Sequence, residues 1–192
     1  MNSVSELEAR IRGLLVQKPR VLVALDGMSA SGKTTLAAAL AGRFPSSAVV
    51  HMDDFTIPFE DRFPGYFDAQ LSNADLVRFD REVLSPLLSG RAARYRPYVC
   101  HPEPGFLSPV TVAADTRLVI VEGAYCLHAQ LFDRYDLRVL CTVSPDVQRA
   151  RILRRNGSAQ LDRFLRLWIP MENRHIEAHG LAIRCDLTLS GD

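Results

Sequence analysis

Lysine is nearly missing from this chain. Of its 23 basic residues, only Lys18 and Lys33 are lysines and the other 21 are arginines. Long apolar runs are missing as well, which excludes a membrane-spanning helix of the usual 18 or more residues. The opening MNSVSELEAR is acidic and amphipathic, unlike a secretion signal. Charge of one sign is also lacking. A net +1 over 192 residues predicts no wholesale binding to nucleic acid or to an anionic membrane. The four cysteines, Cys100, Cys126, Cys141 and Cys185, form no C-x-x-C pair. They are too sparse for a disulfide scaffold and read as free thiols of a reducing, cytoplasmic compartment.

What is present alternates. Ser3-x-x-Glu6 reads as a capping box opening an amphipathic helix that Pro19 ends. VLVALD (21–26), SSAVVHM (46–52), RLVIVEG (117–123), LRVLCTV (137–143) and DLTLS (186–190) read as strands. Helical patterns lie between them: 34–44, a segment capped by Asn73 and bent or broken at Pro86, 145–155, and a stretch from Ser158 interrupted at Pro170. Residues 53–72 and 91–109 lack period and read as loops, the second with a short edge hairpin. Apolar strands alternating with helices predict an α/β fold, a parallel sheet with helices on both faces, in one domain over 1–192.

Gly27-Met28-Ser29-Ala30-Ser31-Gly32-Lys33-Thr34 matches G-x-x-x-x-G-K-[ST] between a strand and a helix. Such a loop wraps phosphates in backbone N–H groups and aims a helix N-terminus at the anion. Gly27, Ser29, Ala30, Ser31, Gly32, Lys33, Thr34 and Thr35 are therefore expected to bind the phosphates of ATP, with Lys33 neutralising them and the Thr34 hydroxyl on Mg²⁺. One of only two lysines falls where the motif demands it. No N-K-x-D tetrad follows, which argues against a GTPase.

Asp53 and Asp54 follow the second strand, where open α/β sheets bind ligands. A kinase acting on a hydroxyl needs a carboxylate there to accept the proton. Either aspartate could serve. Further on, Arg149, Arg151, Arg154 and Arg155 crowd one helix, with Arg151 sharing a face with Arg154 and Arg155. Guanidinium forks suit phosphate oxygens, so residues 149–166 read as a closing lid. They hold six arginines and one aspartate, a net +5 that leaves −4 for the rest.

The order D-G-x-S-x-S-G-K-T-T, V-V-H-M-D-D-F, Y-F-D, R-Y-R-P-Y-x-C-H, V-I-V-E-G and R-x-R-I-L-R-R resembles the uridine kinase-like P-loop kinases. Pantothenate kinase and phosphoribulokinase are more distant relatives of that group. The resemblance covers roughly residues 20–190. It implies the three-layer P-loop NTPase fold, with a five-stranded parallel sheet and a helical lid, and an acceptor-site insertion at about 53–110. It implies Asp53 as general base, Asp68, Tyr98 and His101 on the acceptor, and Glu122 near Mg²⁺. Arg151 and Arg154 map onto its R-x-x-R. Thr56 stands where that group has Tyr.

The expectation is an ATP- and Mg²⁺-dependent kinase of a small-metabolite hydroxyl, a nucleoside first. Pantothenate-like and sugar acceptors, or a nucleotide-binding regulatory protein without an acceptor, stay as alternatives. His175 and His179 are expected on a helix surface, and Trp168 in the core.

Overall fold

The computed structural model describes residues 3–62, 72–100 and 102–192, so Asp68 and His101 lie outside the described residues. Helix α1 (Val4–Gln17) starts where Ser3 accepts the Glu6 amide at 3.1 Å. It buries Leu7 and Ile11, four residues apart on one face. Removing the cap in Ser3→Ala should cost about 1 kcal/mol, read as a melting temperature about 2–4 °C lower. An unchanged melting temperature would remove the cap from the account.

Strand β1 (Val21–Gly27) leads through the glycine-rich turn into α2 (Lys33–Arg43), and β2 (Ser47–His51) follows. A helical run, α3, spans 76–88, and four short strands come next: β3 (Ala93–Tyr95), β4 (Tyr98–Val99), β5 (Gly105–Phe106) and β6 (Val110–Val112). They pair antiparallel as β3 with β6 and β4 with β5, a two-tier hairpin longer than the short edge hairpin expected within 91–109. Then come β7 (Leu118–Glu122), β8 (Leu137–Thr142), helix α4 (Pro145–Asn156), the helical run α5 over 158–178, α6 (Leu181–Arg184) and β9 (Leu187–Ser190).

The main sheet is parallel throughout, in the order β2-β7-β1-β8-β9. The two-residue period of β1 splits its side chains between two cores. Leu22 and Ala24 meet Phe79, Val83 and Leu84 of α3 on one face. Val21, Val23 and Leu25 meet Leu7 and Ile11 of α1 and Leu40 of α2 on the other. With both faces covered, β1 and β7 are buried along their whole length, which explains their unbroken apolar runs.

Two expectations about helix ends need correction. Neither Pro86 nor Pro170 breaks its helix. A proline ring collides with the carbonyl four residues back, so each proline is preceded by a π-turn that loosens that ladder. These turns are Asp80–Leu84, closed by Ser85 N–H to Asp80 O, and Phe164–Trp168, closed by Ile169 N–H to Phe164 O. The helices continue beyond them. Nor is Asn73 the cap of α3. Ala74 bridges to Thr56, and the Asp75 side chain accepts the Arg78 amide at 2.9 Å. All four cysteines are free, with Cys126 and Cys141 buried. Among the described residues no helix is long and apolar enough to cross a membrane.

Candidate active site

The glycine-rich loop lies at the C-terminal end of the central strand, β1. Gly27 has φ +130, and a Cβ there would lie 2.0 Å from Cys141 O on the neighbouring strand. The close approach of β8 therefore dictates this glycine. Gly32 has φ +94 and opens α2, whose first turn has no capping side chain and no acid. Its N-terminal amides are thus left for an anion. Ala30 is held at φ 60, an uncommon conformation for a residue with a side chain. The Ser31 hydroxyl is buried without a hydrogen-bond partner among the described residues. An unsatisfied donor beside free amides fits a site built for phosphate oxygens.

Lys33 is buried, and its Nζ donates to Gly27 O at 2.9 Å and Met28 O at 2.8 Å. The loop's own carbonyls hold the ammonium where phosphate oxygens would replace them. The Thr34 hydroxyl lies 3.1 Å from both oxygens of Glu122. Glu122 ends β7 beside β1 and is buried, with His51 Nδ1 at 2.6 Å from its Oε1. That bond, more than any other contact, raises the His51 pKa. A hydroxyl and a carboxylate so placed are hard oxygen donors, and they fit Mg²⁺, which takes few protein ligands.

Asp53 and Asp54 lie in the 3-10 turn Met52–Phe55 that leaves β2. Solvent still reaches Asp53, yet the surrounding protein and then the Glu122 carboxylate push its pKa up, with Lys33, His51 and Arg155 opposing. Asp54 differs. Burial raises its pKa, while His51 and a hydrogen bond from Tyr95 oppose. Thr56, in the place of the expected Tyr, donates its hydroxyl to Asp53 O at 2.8 Å and closes the turn.

One cleft of about 1330 Å³ brings these groups together. The loop, Asp53, Asp54, Glu122 and Tyr98 line it, and so do Arg151, Arg154 and Arg163. Tyr98 also packs edge-on against Phe106 across the hairpin, with ring centroids 5.2 Å apart. Arg151 is engaged: its two terminal nitrogens donate to Ala30 O at 3.0 Å and Gly191 O at 2.6 Å. Arg154 has no polar partner among the described residues and is the freer cation of the pair. Trp168 also lines the cleft, half-buried, with the Arg163 guanidinium 5.6 Å from its ring, which corrects its expected place in the core.

Sequence reasoning missed the layer beneath the loop. His175 is not on a surface; it is 1% exposed. Its Nε2 lies 3.0 Å from Asp26 Oδ2, and His179 is half-buried against its ring. Asp26 is fully buried and also accepts the amides of Gly27, Tyr125 and Leu127. Burial pushes its pKa up, but His175, the Leu127 amide and Lys33 outweigh burial and leave it lowered. Glu172 and Gln148 were missed too. Glu172 accepts the Ser29 amide and hydroxyl, and Gln148 donates to Ser29 O at 2.9 Å. One signal was available. A charged residue ending an apolar strand, as Asp26 does, needs a buried partner.

No protein-family model matches the chain, and no curated protein matches it. Solved structures do. A protein described as a "possible uridine kinase" from Bacillus stearothermophilus is 22% identical, with TM-score 0.67, over 96% of this chain and 100% of that one. A candidate fructose transport system kinase from Silicibacter sp. TM1040 is 25% identical, with TM-score 0.72, over 98% and 100%. A D-glycerate 3-kinase from Cryptococcus neoformans var. grubii is 17% identical, with TM-score 0.64, over 88% and 86%.

Proposed function

We propose that this chain, which has the fold of the uridine kinase-like P-loop kinases, is an ATP-dependent kinase of a small-metabolite hydroxyl. The observation that carries this reading is that a glycine-rich loop of the phosphate-binding pattern and the carboxylate of Asp53 line one and the same cleft. A nucleoside hydroxyl is the acceptor we place first. Tyr98 offers an aromatic ring to the cleft, and the sequence resemblance implies Asp68 and His101 as acceptor-binding residues.

In this mechanism the loop amides and Lys33 hold the triphosphate. Thr34 and Glu122 would hold Mg²⁺, which would supply positive charge to offset that of the phosphates. Asp53 takes the proton of the acceptor hydroxyl as its oxygen forms a bond to the γ-phosphorus. The bond from the γ-phosphorus to the β,γ-bridging oxygen breaks, and ADP leaves. Arg154, joined by Arg151 if it exchanges its carbonyl partners, offsets the charge on the transferring group.

The test is ATP consumption by the purified protein with Mg²⁺, against nucleosides, sugars, glycerate and pantothenate. The expected result is one acceptor class that raises consumption well above the acceptor-free rate. If none does, the kinase reading fails, and the regulatory nucleotide-binding alternative takes its place.

A further inference from the structure

Glu172 stands in the first turn of the segment Ile169–Ala178, within α5. Its carboxylate is 5% exposed, accepts the Ser29 amide at 2.8 Å and also accepts the Ser29 hydroxyl. Ser29 is the third residue of the phosphate loop. A buried carboxylate therefore holds an amide of the very loop whose amides suit an incoming polyanion. Its surroundings make that position costly for a negative charge. Burial raises the Glu172 pKa, the Ser29 contacts and Lys33 oppose, and Asp53 raises it further.

We propose that Glu172 is a resident anion of the phosphate loop, a positioning residue that holds Ser29 in the nucleotide-free protein and yields it to a phosphate oxygen when a nucleoside triphosphate binds. The inference rests on the ATP-binding reading above. One N–H cannot satisfy two anions, and a carboxylate beside a phosphate in a partly buried site repels it. Release does not need the helix to leave. His175, one turn further along the same face, stays fixed to Asp26, while Gln148 keeps Ser29 O. Glu172 can change rotamer on an anchored helix. The same contact sets a threshold for occupancy, because a ligand must carry enough phosphate charge to displace it.

Glu172→Gln tests this. Glutamine keeps the shape and one acceptor for Ser29 but removes the charge. Binding of MgATP and of adenosine is measured by calorimetry without acceptor, together with thermal unfolding. The expected result is MgATP affinity about tenfold tighter, a change of about 1.4 kcal/mol, with adenosine affinity unchanged. A merely structural role would shift the melting temperature without tightening MgATP. Equal or weaker MgATP binding overturns the proposal, as does equal tightening of adenosine. If even the wild-type protein binds no MgATP, the ATP reading itself has failed. Should the variant not fold, a wild-type structure with Mg²⁺ and a non-hydrolysable ATP analogue decides. Glu172 parted from Ser29 supports the proposal, and Glu172 still on the Ser29 amide overturns it.

Discussion

Asp53→Asn should lower turnover on the order of 10²- to 10⁴-fold, the usual scale for losing a positioned general base, without weakening MgATP binding. The substitution keeps size and shape, so the 3-10 turn Met52–Phe55 and its Thr56 closure survive. Only the proton acceptor goes. Asp54→Asn is the matched control. Asp54 accepts from Tyr95 and lies beside Arg78, so it supports the hairpin wall, and its loss should cost far less turnover. Steady-state kinetics on both variants, with MgATP binding measured separately, decide between the two carboxylates. Equal loss in both, or the larger loss in Asp54→Asn, removes Asp53 from the base role. The pH profile follows with a definite sign. The base works deprotonated, and burial with Glu122 raises the Asp53 pKa. Wild-type activity should therefore rise with pH through a value above the ordinary carboxylate, about 4, and fall away on the acid side.

The glycine-rich turn between β1 and α2 was legible because its motif restricts residue type at each position, and lysine scarcity sharpened the match at Lys33. The sheet was legible because strands buried on both faces must be apolar throughout, as β1 and β7 are. The π-turns before Pro86 and Pro170 were not, since a single wide turn shifts the apolar pattern by only about one residue, too little to stand out from helical spacing. The clamp beneath the loop was hidden for another reason. Ser29 meets Glu172 across 143 residues, and Asp26 meets His175 across 149. No local pattern reports a pair that only the sheet order brings together. The same holds for Arg151. Its spacing from Arg154 announces a shared helix face, but not that Ala30 and Gly191 carbonyls occupy it.

Asp26→Ala should destabilise the fold by about 3–5 kcal/mol, the scale for removing one member of a buried, hydrogen-bonded pair. Four groups lose their acceptor at once: the amides of Gly27 at 2.6 Å, Tyr125 at 3.2 Å and Leu127 at 2.7 Å, and His175 Nε2 at 3.0 Å. All lie in the buried layer beneath the glycine-rich loop. Tyr125 sits at φ 75 and relies on that amide bond to keep a conformation that side chains disfavour. For a chain of this size the loss corresponds to a melting temperature roughly 6–20 °C lower, at about 2–4 °C per kcal/mol. A drop within the noise of the melt would mean that the network is dispensable. The acid side supplies a second reading. A carboxyl lowered on folding stabilises above its unfolded pKa, near 4, and that contribution is lost as pH falls through the still lower folded value. Wild-type protein should therefore lose part of its stability in that acid window, and Asp26→Ala should lose less there because it has already given that part up.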